Sequence, residues 1–271
     1  MKNIKIGIVG CGAIGSAITK YCSERLADTI AIKAIFDIDE KKAGALKDKL
    51  GVKVDIKRSL EDLVKSCDLV VEAASVETAR LALNEAVRYK KDILIMSAGG
   101  LIEAEDLLGA AEKNGCRVYV PSGAVIGLDG VKAACLGTIE RVTLTTRKPP
   151  AGLKGAPYIK EKGIDLDAIK DEELIFEGTA REAIKAFPKN VNVSATLSLA
   201  GIGAEKTWVR IFSSPKFKRN SHEIELKGEA GTFFVRTENV PSPDNPKTSY
   251  LAVLSALATL KVIASGVRVG T

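Results

Sequence analysis

The stretch Lys5-Ile6-Gly7-Ile8-Val9-Gly10-Cys11-Gly12-Ala13-Ile14-Gly15 constrains what this chain can fold into more than any other. The apolar run Ile4 to Val9 ends in a glycine-rich turn, and a helical pattern of Ile14, Ala17, Ile18 and Tyr21 follows at once. Gly10, Gly12 and Gly15 fit the spacing G-x-G-x-x-G in a strand–turn–helix context. Gly10 permits the turn, Gly12 lets a pyrophosphate approach the backbone, and Gly15 lets the helix lie close to the strand. The N–H groups at the helix start, around Ala13 and Ile14, then face phosphate charge. The same spacing also suits a turn that only packs a helix on a sheet, so its surroundings matter. Ile30 to Phe36 is a second strand and ends at Asp37, close to where such a fold places the carboxylate that holds a ribose 2′-hydroxyl. A carboxylate there repels a 2′-phosphate and favours NAD, while Lys41 and Lys42 just downstream soften the choice and leave NADP tolerated.

The pattern continues through residue 121. Asp39 caps a helix through Ala43, Leu46 and Leu50 that Gly51 ends, and Val52-Lys53-Val54 forms a short third strand. Ser59 caps the next helix. Leu69-Val70-Val71-Glu72-Ala73-Ala74 is almost uninterruptedly apolar, which suits a strand covered on both faces of a parallel sheet. A helix from Thr78 to Tyr89 turns Leu81, Ala82 and Val87 inward, and Ile93 to Met96 is the next strand. Glu103 to Lys113 is a helix and Arg117 to Val120 a sixth strand. Alternating strands and helices define an α/β, Rossmann-like doubly wound parallel sheet. Ligands of such sheets sit beyond the carboxyl ends of the strands. Three small-residue loops qualify as cofactor contacts: Gly10–Gly15, Ala73–Val76 with Ala74 and Ser75, and Ser97–Gly100 with Ala98 and Gly99. Ordinary turn chemistry is the competing account of the last two.

The character changes after the glycine-rich passage Pro121 to Gly130. Arg141 to Arg147 alternates with a period of two, Leu174 to Glu177 is strand-like, and Thr179 caps a helix that Pro188 stops. A small-residue helix from Val191 to Leu199, a strand from Trp208 to Phe212, and a hairpin of His222–Leu226 with Thr232–Arg236 complete a second, mixed-sheet α/β domain. Pro149 to Gly163 is a loop without an assigned role, and Pro241 to Pro246 is a rigid connection. A last helix, Tyr250 to Ile263, carries Leu251, Leu254, Leu257 and Leu260 and returns to the first domain. The expected domains are therefore 1–121 with 244–271, and 122–243.

The 271 residues suffice for two domains, and 46% hydrophobic content supports a substantial core. The net charge of +6 is spread along the chain with no basic block interleaved with aromatics, which argues against nucleic acid as a partner. No apolar run reaches the ~20 residues of a membrane helix, and the first strand begins at once, leaving no room for a signal peptide. Cys11, Cys22, Cys67, Cys116 and Cys135 form no C-x-x-C pair, as suits buried thiols of a cytoplasmic protein. With one histidine and no thiolate spacing, no metal site is expected.

That histidine, His222, stands at a strand start. Oxidation of an amine or alcohol by hydride loss needs a group that accepts a proton near neutral pH, and histidine is the usual choice. A surface or capping histidine is the alternative. The amides of Asn190 and Asn192 suit a nicotinamide carboxamide or a substrate carboxylate, with helix capping the competing account of Asn192. Lys206, Arg210, Arg219 and Lys247 are nearby cations of the kind a dicarboxylate requires.

Several passages together resemble the L-aspartate dehydrogenases of the NAD-synthesis type. They are Gly7–Gly15, Ser97-Ala98-Gly99-Gly100-Leu101, Pro121-Ser122-Gly123-Ala124 with Gly127-Leu128-Asp129, Phe187-Pro188-Lys189-Asn190-Val191-Asn192-Val193, Asn220-Ser221-His222-Glu223-Ile224, and Glu238 to Ser249. The resemblance implies that His222 is the active-site histidine and that Ala124 and Asn190 contact the cofactor. It implies NAD(P)-dependent oxidation of L-aspartate to iminoaspartate, or in reverse the amination of oxaloacetate with ammonia. It also implies supply of quinolinate and NAD synthesis, and a homodimer. Rival readings are a reductase of the dihydrodipicolinate type, whose paired-histidine motif a one-histidine chain cannot contain, a homoserine dehydrogenase, and a nucleotide-sensing protein without turnover.

Overall fold

The computed structural model describes residues 3–51, 53–188, 192–243, 245–265 and 267–270. The chain divides into two compact units, one of Met1–Pro121 with Val253–Arg268, the other built on Ser122–Ala252. The chain re-enters the first unit at Val253, after the β-ribbon of 241–249.

The first unit alternates β1 (Ile4–Val9), α1 (Ala13–Arg25), β2 (Ile30–Phe36), α2 (Glu40–Leu50), β3 (Asp55–Ile56), α3 (Leu60–Lys65), β4 (Leu69–Glu72), α4 (Val76–Arg88), β5 (Asp92–Ile95), a 3-10 turn (Ala98–Leu101), α5 (Glu105–Lys113) and β6 (Val118–Tyr119). Its strands lie parallel in the order β3-β2-β1-β4-β5-β6, which reverses direction between β1 and β4. Side chains leave each strand alternately to the two faces. Leu69, Val71 and Leu94 join Ile6, Ile8 and helix residues Ile18, Cys22 and Leu46 in one core. Val70, Ile93 and Ile95 join Leu63, Leu83 and Ala86 in the other. The sheet is therefore covered on both sides, as its continuous apolar strands require.

Two expectations are corrected here. The third strand is Asp55–Ile56, pairing with Ala34 and Ile35, and not 52–54, of which Val52 lies outside the described residues. In α4 the buried residues are Ala79, Ala82, Leu83 and Ala86, while Leu81 is 61% exposed. Ala79, Ala82, Leu83 and Ala86 recur at the three- and four-residue spacing of one helix face, which leaves Leu81 on the outer side, and the helix starts at Val76 with Ser75 as its cap.

The second unit holds α6 (Leu128–Ala134), β7 (Ile139–Lys148), α7 (Pro157–Glu161), β8 (Glu173–Thr179), α8 (Ala180–Ala186), α9 (Asn192–Ala200), β9 (Thr207–Ser213), β10 (Asn220–Gly228), β11 (Gly231–Asn239), β12 (Pro241–Ser242) and β13 (Asn245–Ser249). Its five-stranded sheet runs β11-β10-β7-β9-β8, antiparallel except for β7 beside β9. Thr179 caps α8 in a capping box with Glu182, as its hydroxyl and the Glu182 carboxylate satisfy each other's backbone N–H groups. The proline-rich connection is not merely a linker: its backbone pairs as the β12–β13 ribbon. α6 and α7 were not foreseen, being short and set among glycines, prolines and lysines.

α10 (Tyr250–Ala264) closes the first unit. Val253, Ala256, Leu257 and Leu260 enter the same core as Ile6 and Leu94, while Leu254 is exposed.

Candidate active site

Three loops at the carboxyl ends of β1, β4 and β5 form a platform in the first unit. Gly10 has φ +95°, and a Cβ there would lie 2.7 Å from the Ala73 carbonyl oxygen. A Cβ on Gly15 would fall 1.8 Å from the Gly10 carbonyl oxygen. These two glycines are therefore required by the protein's own packing. Gly12 differs: a Cβ there would meet nothing within 4 Å, so the space over the loop is open. Gly12 is also the N-cap of α1 and supplies no side-chain cap. The helix begins at Ala13 and Ile14 with N–H groups suited to an anion. This cradle fits a dinucleotide pyrophosphate.

Two carboxylates brace the platform. Asp37, at the end of β2, accepts from Cys11 N at 2.7 Å and from Asp39 N at 2.8 Å. It thus orders the glycine loop while half-exposed beside it. Asp37 and burial push the neighbouring Cys11 thiol up to about 12, burial being the larger cause, so this thiol is inert. Lys42 pairs with Asp39 at 3.7 Å. Glu72, at the end of β4, is completely buried. It accepts from Ala74 N at 2.7 Å, Ser97 N at 3.0 Å and Ser97 Oγ at 2.9 Å. Burial raises its pKa and these hydrogen bonds oppose the rise. Ser75 caps α4 through Thr78 N, and Ala98 and Gly99 are buried in the turn beyond β5.

The second unit holds the imidazole. His222 on β10 lies directly opposite Thr146 on β7, and both side chains are buried. Thr146 Oγ1 is 3.0 Å from His222 Nδ1. Burial first, and the charge of Lys148 second, lower the His222 pKa to about 3, so the ring is neutral at physiological pH. Lys148 lies two residues beyond Thr146 on the same buried face, and burial lowers its pKa to about 8. Thr146 and Lys148 line a small cavity with Phe187, Ser194, Val209 and Ile211. The Ala124 carbonyl accepts from Asn239 Nδ2 at 3.0 Å and from the Thr237 hydroxyl at 3.3 Å. That hydroxyl also donates to the His222 carbonyl at 3.3 Å. Ala124 and the His222 strand are thereby joined through one side chain.

Other candidates fall elsewhere. Arg210 pairs with Glu177 at 3.4 Å and, with Lys206, lines the opposite face of this sheet from Thr146 and Lys148. Neither cation serves the imidazole, because alternation along β9 turns Val209 and Ile211 toward it instead. Arg219 is exposed. Asn192 is exposed at the first position of α9. Asn190 lies outside the described residues, and so does the side chain of Lys247. Thr146, Lys148 and Glu72 were missed by the sequence reading. Extending the alternation Val142, Leu144, Thr146 by one step finds Lys148; nothing in the sequence marks Glu72 apart from a charge closing an apolar strand.

The strand order and the glycine geometry define a dinucleotide-binding α/β protein with a second, mixed-sheet unit. The family profile described as "Homoserine dehydrogenase, NAD binding domain" matches residues 10–121, and that described as "Aspartate dehydrogenase, C-terminal" matches residues 129–263. The L-aspartate dehydrogenase of Methanosarcina mazei is 48% identical over 99% of this chain and 100% of its own length. That of Methanococcus maripaludis strain C7 is 43% identical over 99% and 100%. The crystal structure of aspartate dehydrogenase from Thermotoga maritima matches with a TM-score of 0.73 and 26% identity, covering 99% of this chain and all of the other. A homoserine dehydrogenase from Thiobacillus denitrificans shares the fold, with a TM-score of 0.63 and 14% identity over 97% of this chain and 74% of the other. The chain belongs to the L-aspartate dehydrogenase family, whose members are pyridine-nucleotide oxidoreductases.

Proposed function

We propose that the chain oxidises L-aspartate to iminoaspartate with NAD, tolerating NADP, and in reverse aminates oxaloacetate with ammonia. The observation that carries this reading is the sole histidine, buried and neutral, its ring fixed by Thr146, in a chain 48% identical to an L-aspartate dehydrogenase throughout its length. Bound nicotinamide supplies the two-electron acceptor. Gly12, Ala13 and Ile14 receive the pyrophosphate, and the free lone pairs of Asp37 receive the ribose of the adenosine half. Ala74, Ser75, Ala98 and Gly99 serve the nicotinamide half, with Ala124 and Asn190 as further cofactor contacts. Asn192 and Lys247 are assigned to the substrate carboxylates.

Neutral His222 takes a proton from the substrate ammonium, freeing the nitrogen lone pair to form the C=N bond as hydride leaves Cα. The two carboxylates of the substrate beside the ring offset the burial that depresses its proton affinity. The imine product suits quinolinate synthesis in the cytoplasm, and the assembly is a homodimer. Residues 1–121 with the C-terminal helix form the nucleotide domain of this enzyme and residues 122–243 its substrate domain. Replacing His222 by Ala lowers kcat by roughly 10²–10⁴-fold and leaves NADH affinity nearly unchanged. Normal turnover in His222→Ala refutes the role.

A further inference from the structure

The carboxylate of Glu72 has no part in the chemistry above, yet it is fully buried and accepts three hydrogen bonds. Three donors converge on it from two different loops: Ala74 N from the β4–α4 connection, and Ser97 N and Oγ from the β5 end. Both oxygens accept, Oε1 from Ala74 N and Ser97 Oγ, Oε2 from Ser97 N. The two loops also touch without intervening side chains. A Cβ on Gly100 would lie 2.4 Å from the Val76 carbonyl oxygen. The same β4–α4 loop abuts the glycine fingerprint, since Ala73 N donates to Val9 O at 2.8 Å and Gly10 leaves no room for a Cβ against Ala73 and Ala74.

In a sheet of this order a dinucleotide spans the crevice at the switch between β1 and β4. The adenosine half lies toward β2 and Asp37, so the nicotinamide half lies over the ends of β4 and β5. We propose that Glu72 is a positioning residue for the nicotinamide half of the cofactor: its carboxylate clamps the β4–α4 and β5 loops together in the geometry that receives the nucleotide. The inference rests on the reading that these loops contact the cofactor. The clamp needs an acceptor at both oxygens, because each of them faces a backbone N–H. A glutamine has the same size but turns an NH₂ group toward one of those backbone N–H donors, so the clamp loses one of its backbone bonds and loosens.

The test is the Glu72→Gln variant, measured by NADH fluorescence titration and by amide exchange of the nucleotide-free protein, with Gly12→Ala as a reference. The clamp predicts a rise in the NADH dissociation constant of about tenfold, the range for loss of a hydrogen bond to a charged group. It also predicts faster exchange at Ala74 and Ser97, and a KM for L-aspartate at saturating nucleotide that stays unchanged. A lower melting temperature with NADH affinity within about twofold of the parent makes Glu72 merely structural and overturns the proposal. If Gly12→Ala weakens binding and Glu72→Gln does not, the clamp fails and the nucleotide platform stands. If neither weakens binding, the platform itself is wrong. Should Glu72→Gln not fold, Ser97→Ala, which removes only the Oγ bond, must still raise the dissociation constant about threefold, and an unchanged value refutes the clamp.

Discussion

Thr146 Oγ1 and His222 Nδ1 meet at 3.0 Å across the antiparallel pair of β7 and β10, on the buried face of the sheet. The register makes the two residues direct partners, so the contact is built by strand pairing and not by a mobile loop. A ring anchored at Nδ1 presents Nε2 for proton exchange.

Thr146→Val keeps the shape and deletes the anchor. The expected result is a fall in kcat of about tenfold, with nucleotide affinity unchanged, because one orienting hydrogen bond is lost. Thr146→Ser, which retains the hydroxyl, restores most of the rate. Steady-state kinetics of the two variants side by side check this.

The buried imidazole makes stability depend on acidity. Its pKa is about 3 in the folded chain against an ordinary 6.5, so between these limits the unfolded state binds more protons. Stability is fully present above pH 6.5 and falls below it, by up to about 1.4 kcal/mol per pH unit until the folded ring titrates. His222→Gln flattens this part of the pH–stability curve. Because His222 is the only histidine, its ring protons are assignable by NMR without ambiguity. Lys148→Met removes the neighbouring charge and raises the ring's pKa in that titration; an unaltered pKa shows that burial alone sets it.

The fingerprint glycines separate stability from binding. Gly15→Ala places a Cβ 1.8 Å from the Gly10 carbonyl oxygen and destabilises the protein by more than about 3 kcal/mol. Gly12→Ala meets no protein atom within 4 Å and melts within a few degrees of the parent, but fills the approach to the pyrophosphate and weakens NADH binding by about tenfold or more. Thermal melts and fluorescence titration together distinguish the two.

Most of the first unit was legible because its strands are continuous apolar runs and its turns carry glycines and capping side chains. Ser59 and Asp39 cap the helices they precede through their own oxygens. Legibility failed where local signals were weak or shared. α4 contains enough apolar residues to suggest more than one inward face, and only packing into the core with Leu63 and Ile93 decides for Leu83 over Leu81. In the second unit, period-two alternation located β7 and placed His222 near the start of β10. It did not show which face of β9 the helices cover, and so Arg210 was counted among cations near the imidazole. The Thr146–His222 contact joins residues 76 positions apart, and no local pattern encodes it.

The central claim is that this chain makes and breaks a C–N bond at the carbon that exchanges hydride. NADH consumption with oxaloacetate, measured with and without ammonium, tests it most directly. Oxidation of NADH that requires both compounds and yields aspartate is the predicted result. Oxidation with oxaloacetate alone, or none with both present, contradicts it.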